Sequence, residues 1–206
     1  MNIKREAKPG MRTGNRRVDA AMLGSAAALM MLAWRPATAD DAATPQAEQP
    51  RAAGCPAYDA DVGRELGLLA GPGAPAGTPG RGQAAPVLAV GINYAVELRP
   101  ESDVALVARS PRKASAAGAY AAVLALRVPA DGAWRVSVSR HAWIDVVDAG
   151  GTVLQSSRHQ GRQGCTEMRK FVEFPLKAGV AYTLQLTGAS DPAMKLLVTG
   201  PIAPSP

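Results

Sequence analysis

The sequence predicts an all-β protein: an antiparallel β-sandwich preceded by a long, flexible N-terminal arm. Three observations point there. Apolar and polar residues alternate with a period of two through much of residues 86–200, turn-forming clusters interrupt that alternation at short intervals, and no stretch of the same region keeps a helical period. Residues 133–140 set Trp134, Val136 and Val138 against Arg135, Ser137 and Ser139. Residues 181–187 set Tyr182, Leu184 and Leu186 against Thr183, Gln185 and Thr187. A strand of this kind has one apolar face to hide, and two sheets pressed together hide it. Roughly seven to nine strands are expected, and a jelly-roll variant satisfies the same pattern.

In chain order, the first element is an export signal. Lys4, Arg5, Lys8, Arg12, Arg16 and Arg17 precede an apolar run over residues 20–34, which Arg35-Pro36 closes and Ala37-Thr38-Ala39 follows. The run is short for a membrane span, which needs about 20 residues. Cleavage after Ala39 is therefore expected, leaving no permanent span and a periplasmic or secreted protein. Arg16-Arg17 admits the twin-arginine route, whereas Asp19, standing where that signal wants an apolar residue, favours general secretion. Removing the leader also changes the charge. Seven of the 23 basic residues, but only Glu6 and Asp19 of the 17 acidic ones, precede Asp40, which leaves 16 against 15 and a net charge of +1. The chain's pI of 9.7 thus belongs largely to the leader, and nucleic acid is not an expected partner.

Residues 40–54 are rich in Ala, Pro, Gln and acid, too polar to offset the entropy of ordering. A short helix is expected over residues 61–70, with Asp61 as cap, Val62, Leu66 and Leu69 at helical spacing, and Gly71 as its end. Nine of the sixteen residues 71–86 are Gly or Pro, which reads as a linker or long loop. The division that follows is signal 1–39, arm 40–85, sandwich 86–200 and tail 201–206. Besides the two alternating strands, residues 87–98, 104–108, 120–128, 143–147, 153–157, 170–174 and 193–198 are candidate strands. Residues 129–132, 148–151, 177–179 and 188–192 supply the turns.

Residues 120–128, then Pro129-Ala130-Asp131-Gly132-Ala133-Trp134-Arg135-Val136, then Trp143-Ile144-Asp145-Val146-Val147, and finally residues 171–182 resemble the bacterial pre-peptidase C-terminal (PPC) type of β-sandwich. In that family, too, a strand leads through Pro-Ala-x-Gly into a second strand. A strand carrying Asp and a late Leu-x-Ala-Gly-x-x-Tyr turn follow, here Leu176 to Tyr182. The chain is also similar to small exported proteobacterial proteins that share Ala142-Trp143-Ile144-Asp145-Val146-Val147, a His before Cys165, and Arg169-Lys170. Some of those carry a homogentisate dioxygenase label, which would imply iron held by two His and a carboxylate. This chain has His141 and His159 only, without that family's usual spacing.

Cys55 and Cys165 are the only cysteines, and an oxidising compartment favours pairing them. The bond would close a loop of about 110 residues, contribute on the order of 4 kcal/mol, and pin the arm to the sandwich. A free thiol or a metal-binding Cys165 are the other readings. Ala52-Ala53-Gly54-Cys55 resembles a lipoprotein cleavage box, but polar, Pro-containing residues separate it from the apolar run such a box must follow. Arg158, His159, Arg162, Arg169 and Lys170 cluster in a Gly-containing stretch. Guanidinium groups there could fork onto an acidic glycan, a cell-wall polymer or an acidic partner. The plainer reading is a solvated loop held by Cys165. Trp143 could stack on a sugar whose hydroxyls Asp145 accepts, although Asp145 also fits a strand-end carboxylate paired with an Arg. Alternation places Trp134 inside; for Trp143 a bulge across Arg140-His141-Ala142 leaves the strand phase open.

His141, His159 and a carboxylate such as Asp145 or Glu167 are of ligand type, but at no tight ligand spacing. No Gly-x-Ser-x-Gly occurs, and Pro removes the amide donors a phosphate loop would need from residues 71–82. The expectation is an exported, non-enzymatic binding or accessory protein without a cofactor. Its partner would be an envelope polysaccharide or another exported protein. The alternative is a metal-dependent enzyme, dioxygenase-like with non-haem iron, built on His141, His159 and a carboxylate.

Overall fold

The computed structural model describes residues 55–108 and 115–203, all within the compact unit Gln46–Pro206. The expected signal 1–39 and polar segment 40–54 lie outside the described residues.

The protein is an all-β sandwich. Among the described residues one sheet has six strands: β1 (Ala74–Gly77), β3 (Asn93–Glu97), β11 (Ala193–Ile202), β6 (Gly132–Val138), β9 (Lys170–Leu176) and β8 (Arg158–Gly161), in that order. The other runs β2 (Val87–Leu88), β5 (Tyr120–Leu126), β10 (Tyr182–Ala189) and β7 (Trp143–Val147), with β4 (Arg99–Pro100) pairing β5. Most pairings are antiparallel, as expected; β1 with β3 and β2 with β5 are parallel. Alternation decides what lies between the sheets. Trp134, Val136 and Val138 of β6 meet Leu184 and Leu186 of β10, Ile144 and Val146 of β7, and Leu124 and Leu126 of β5 in one core. Each such side chain fully buried is worth about 1.5–3 kcal/mol. The Trp134 indole N–H donates to the Ala130 carbonyl at 3.1 Å, so the turn expected at 129–132 also satisfies the core's one buried indole. Gly200 makes room for that ring, since a Cβ there would lie 2.9 Å from it.

Several expectations need correction. The folded body does not begin at 86. Helix α1 (Gly63–Ala70), with the Asp61 carboxylate accepting the Gly63 N–H at 3.1 Å, packs on the outer face of the six-stranded sheet. Val62, Leu66 and Leu69 join Cys165, Met168, Phe171 and Leu197 there in a second core. Residues 74–77, read as linker, form edge strand β1, where Pro75 is tolerated because an edge strand does not need every N–H. Gly73 permits the approach, as a Cβ would fall 2.4 Å from the Ala95 nitrogen. The candidate strand 87–98 divides at Gly91, whose φ of 78° breaks the extended run, so that β2 serves one sheet and β3 the other.

Residues 104–108 are not a strand. After a 3-10 turn at Glu101–Asp103, Val104 packs against Ala121 and Val123. The buried Gln185 carboxamide then stands in for a neighbouring strand. Its oxygen accepts N–H groups from Val107 (2.5 Å) and Ala108 (3.2 Å), and its nitrogen donates to the Ala108 carbonyl at 2.9 Å. Residues 153–157 give only the bridge Val147↔Val153, and the strand forms instead at β8, where a loop was expected. At the end of the chain β11 continues to Ile202, opposite Ala133, so the sandwich extends into the expected tail.

Candidate functional site

The charged residues separate into three places. The first is a row across the outer face of the six-stranded sheet. Register aligns Arg158 with Glu173, Glu173 with Arg135, and Arg135 with Thr199. Alternation predicts Arg135 on a wet face, but α1 covers it and it is 3% exposed. Its Nε and Nη2 donate to Glu173 Oε1 at 3.0 and 2.8 Å, while Nη1 donates to the Asp61 carbonyl at 2.6 Å and lies 3.3 Å from Glu65 Oε2. Thr199 Oγ1 donates to Glu65 Oε1. The guanidinium also lies over the Phe171 ring, 4.7 Å from its centroid. One buried cation between two carboxylates ties the helix to the sheet. The sequence signal for it was Glu173 itself, a carboxylate in the middle of the apolar run Phe171-Val172-Glu173-Phe174.

The second place takes Arg158 and Arg162 out of the expected anion site. Arg162 Nη2 lies 3.3 Å from the Asp59 carboxylate, its Nε donates to the Ala57 carbonyl at 2.7 Å, and it stacks 5.5 Å over Tyr58. Arg158 donates to the Asp59 carbonyl at 2.6 Å. The Gln160 carboxamide donates to the Asp59 carboxylate and accepts the Asp59 N–H. These residues clasp the N-terminal segment, which the Cys55–Cys165 disulfide fastens as expected. Burial raises the Tyr58 hydroxyl pKa, opposed by Arg162 and then Arg169. His159 is exposed on β8.

The third place draws together His141 and Trp143 from the β6–β7 connection, where the chain crosses from one sheet to the other, and Lys170 from the start of β9. Trp143 opens β7 and is 36% exposed. Lys170 opens β9, its Nζ 4.9 Å from the centre of the Trp143 ring and donating to the Ala142 carbonyl at 3.3 Å. His141 meets the same indole edge-on, with ring centres 5.9 Å apart. Burial lowers the His141 pKa, and the positive charges of Lys170 and then Arg169 lower it further. Gly188 seats the indole: with φ at 65° it adopts a backbone that side chains disfavour, and a Cβ would stand 3.0 Å from Trp143 Cδ1.

Of the expected ligand-binding residues, the structure therefore groups Trp143 and Lys170, and it adds His141, expected only as a metal ligand, on which the charge of Arg169 also acts. It withdraws Arg158 and Arg162 into the clasp. Asp145, two residues along β7 from Trp143, is 2% exposed and pairs in register with Gln185, so it offers no surface to a large ligand. For a metal, the described residues bring Cys55, Cys165 and Glu167 within reach of one another, and neither His141 nor His159 belongs to that group. An open groove of about 680 Å³, lined among others by Asp131, Ser157, Arg158, Glu173 and Pro201, lies apart from the indole cluster. Among the described residues no helix is long and apolar enough to cross a membrane. Compared with protein-family models, with curated proteins and with solved structures, the chain matches none.

Proposed function

We propose that this is an exported, non-enzymatic β-sandwich that binds an anionic envelope polysaccharide through His141, Trp143, Arg169 and Lys170. The observation that carries the proposal is the half-open Trp143 indole with Lys170 4.9 Å over its ring and the His141 imidazole at its edge. An acidic sugar presents an apolar ring face and a carboxylate on one unit, and an indole beside cations answers both. His141 adds a condition. Its proton is disfavoured first by burial and then by the positive charges of Lys170 and Arg169, and a bound carboxylate would offset those charges. Anion binding therefore draws a proton onto His141 and strengthens as pH falls through the imidazole range.

Calorimetric titration with a polyuronate and with a neutral glucan of similar length tests the reading. The polyuronate is expected to bind and to weaken with added salt, because exposed ion pairs are screened; the neutral glucan is expected to bind far less. Equal binding of both, or of neither at low salt, contradicts the proposal.

A second reading is strand addition by another exported protein at β7, which ends the five-stranded sheet. Its support is narrower, because Val153 and the Leu154 N–H to the Val146 carbonyl already occupy part of that edge. The metal-enzyme reading has the least support, since neither His shares a three-ligand group among the described residues.

A further inference from the structure

We propose that the reduced protein holds a soft divalent cation of the zinc type on Cys55 Sγ, Cys165 Sγ and the Glu167 carboxylate. These three ligand atoms lie within 4.8 Å of one another. Glu167 Oε2 is 3.1 Å from Cys55 Sγ and 4.0 Å from Cys165 Sγ. In the disulfide neither sulfur carries a hydrogen, so neither contact is a hydrogen bond and the carboxylate faces two electron-rich sulfurs. Electron-rich atoms converging in that way suit a cation.

Two further features favour thiolate at this place. The Met168 N–H donates to Cys165 Sγ at 3.3 Å, as an amide does to a metal-bound thiolate. The Tyr58 hydroxyl donates to the Met168 carbonyl, so the turn from Cys165 to Met168 is held from the N-terminal side as well. Cys165 is 4% exposed and Cys55 is half-buried, so solvent reaches the pair at Cys55.

The chemistry balances with a two-electron reductant, a dithiol or a phosphine. The sulfur–sulfur bond breaks, each sulfur gains one electron and one proton, and the dithiol closes to its own disulfide or the phosphine takes oxygen from water. Cation binding then releases both thiol protons. The freed sulfurs can separate to the roughly 3.8 Å that a tetrahedral ion with bonds of about 2.3 Å to sulfur requires, and water fills the fourth position. Thiolate ligands favour zinc or cadmium over calcium or magnesium. The cation and the disulfide would be two interchangeable ties between the same pair of residues.

The test uses the full chain reduced with a phosphine, which does not itself compete as a thiol, and titrated with cadmium. The expected result is one cadmium per chain, a sulfur-to-cadmium charge-transfer band for two thiolates, and a thermal midpoint higher than that of the reduced, metal-free protein. The oxidised protein should show no such band. Glu167→Gln, which leaves the disulfide able to form, should weaken binding by about tenfold or more. Absence of stoichiometric binding, binding that leaves the thermal midpoint unchanged, or a Glu167→Gln variant with unaltered affinity would each overturn the proposal.

Discussion

Arg135 and Lys170 both stand on strands of the six-stranded sheet, and they are used in opposite ways. Arg135 is enclosed under α1 by Glu65, Glu173 and the Asp61 carbonyl. Lys170 stands at the end of the sandwich over an indole that still meets solvent. The contrast separates charge that holds the fold from charge that can answer a ligand. A cation surrounded by fixed acceptors has its hydrogen bonds filled. One shared with a half-open aromatic can exchange part of its hydration for a bound anion.

The largest expected effect lies on the enclosed side. Arg135→Ala leaves two buried carboxylates facing each other without their cation, and should cost about 3–5 kcal/mol in chemical denaturation. A loss below about 1 kcal/mol would mean that water reaches the row and that α1 does not seal it. Next comes Gln185→Ala, which strips residues 107 and 108 of their hydrogen-bond partner and should cost about 1–3 kcal/mol. Faster hydrogen exchange at the Val107 and Ala108 amides would locate the damage. Unchanged exchange would show that the carboxamide does not hold that segment.

The smallest effect concerns His141. Its pKa is lower folded than unfolded, so below about pH 6.5 the unfolded chain takes up more protons and the folded state loses stability as pH falls. Above that range the residue contributes no pH dependence. The imidazole is largely exposed, so the shift in thermal midpoint should be slight, and His141→Gln should flatten it. If acidification instead raises the midpoint in the wild type relative to His141→Gln, an acidic group faces the imidazole and the cluster is not cationic in effect.

The two-layer architecture was legible because burial between sheets imposes a strict period of two, which β6 and β10 carry plainly. The pairing of Cys55 with Cys165 was legible by exclusion, there being no other cysteine. What the pattern does not encode is the covering of an outer face. Arg135, Ser137 and Ser139 alternate in the same way whether water or a helix lies above them. The residues that close the row, Asp61 and Glu65, stand some seventy positions earlier in the chain. Gly and Pro in residues 71–86 signal only their local entropy, while the edge position that makes Pro75 acceptable is a property of the sheet. For the site the same limit appears. Arg158, Arg162, Arg169 and Lys170 are near neighbours in sequence, and only Asp59, a hundred residues away, assigns the first two to the clasp. Trp143 was legible as a candidate, and its partner Lys170 emerges from the meeting of β7 and β9.

The most direct test of the end cluster follows the Trp143 indole and His141 imidazole resonances by NMR while an acidic oligosaccharide is added to the wild type and to Lys170→Gln. Shifts should concentrate at His141, Trp143, Arg169 and Lys170, the His141 pKa should rise on binding, and affinity should fall about tenfold in a variant whose stability is nearly unchanged. Shifts confined to the groove beside Arg158 and Glu173, or a Lys170→Gln variant that binds as the wild type does, would contradict it.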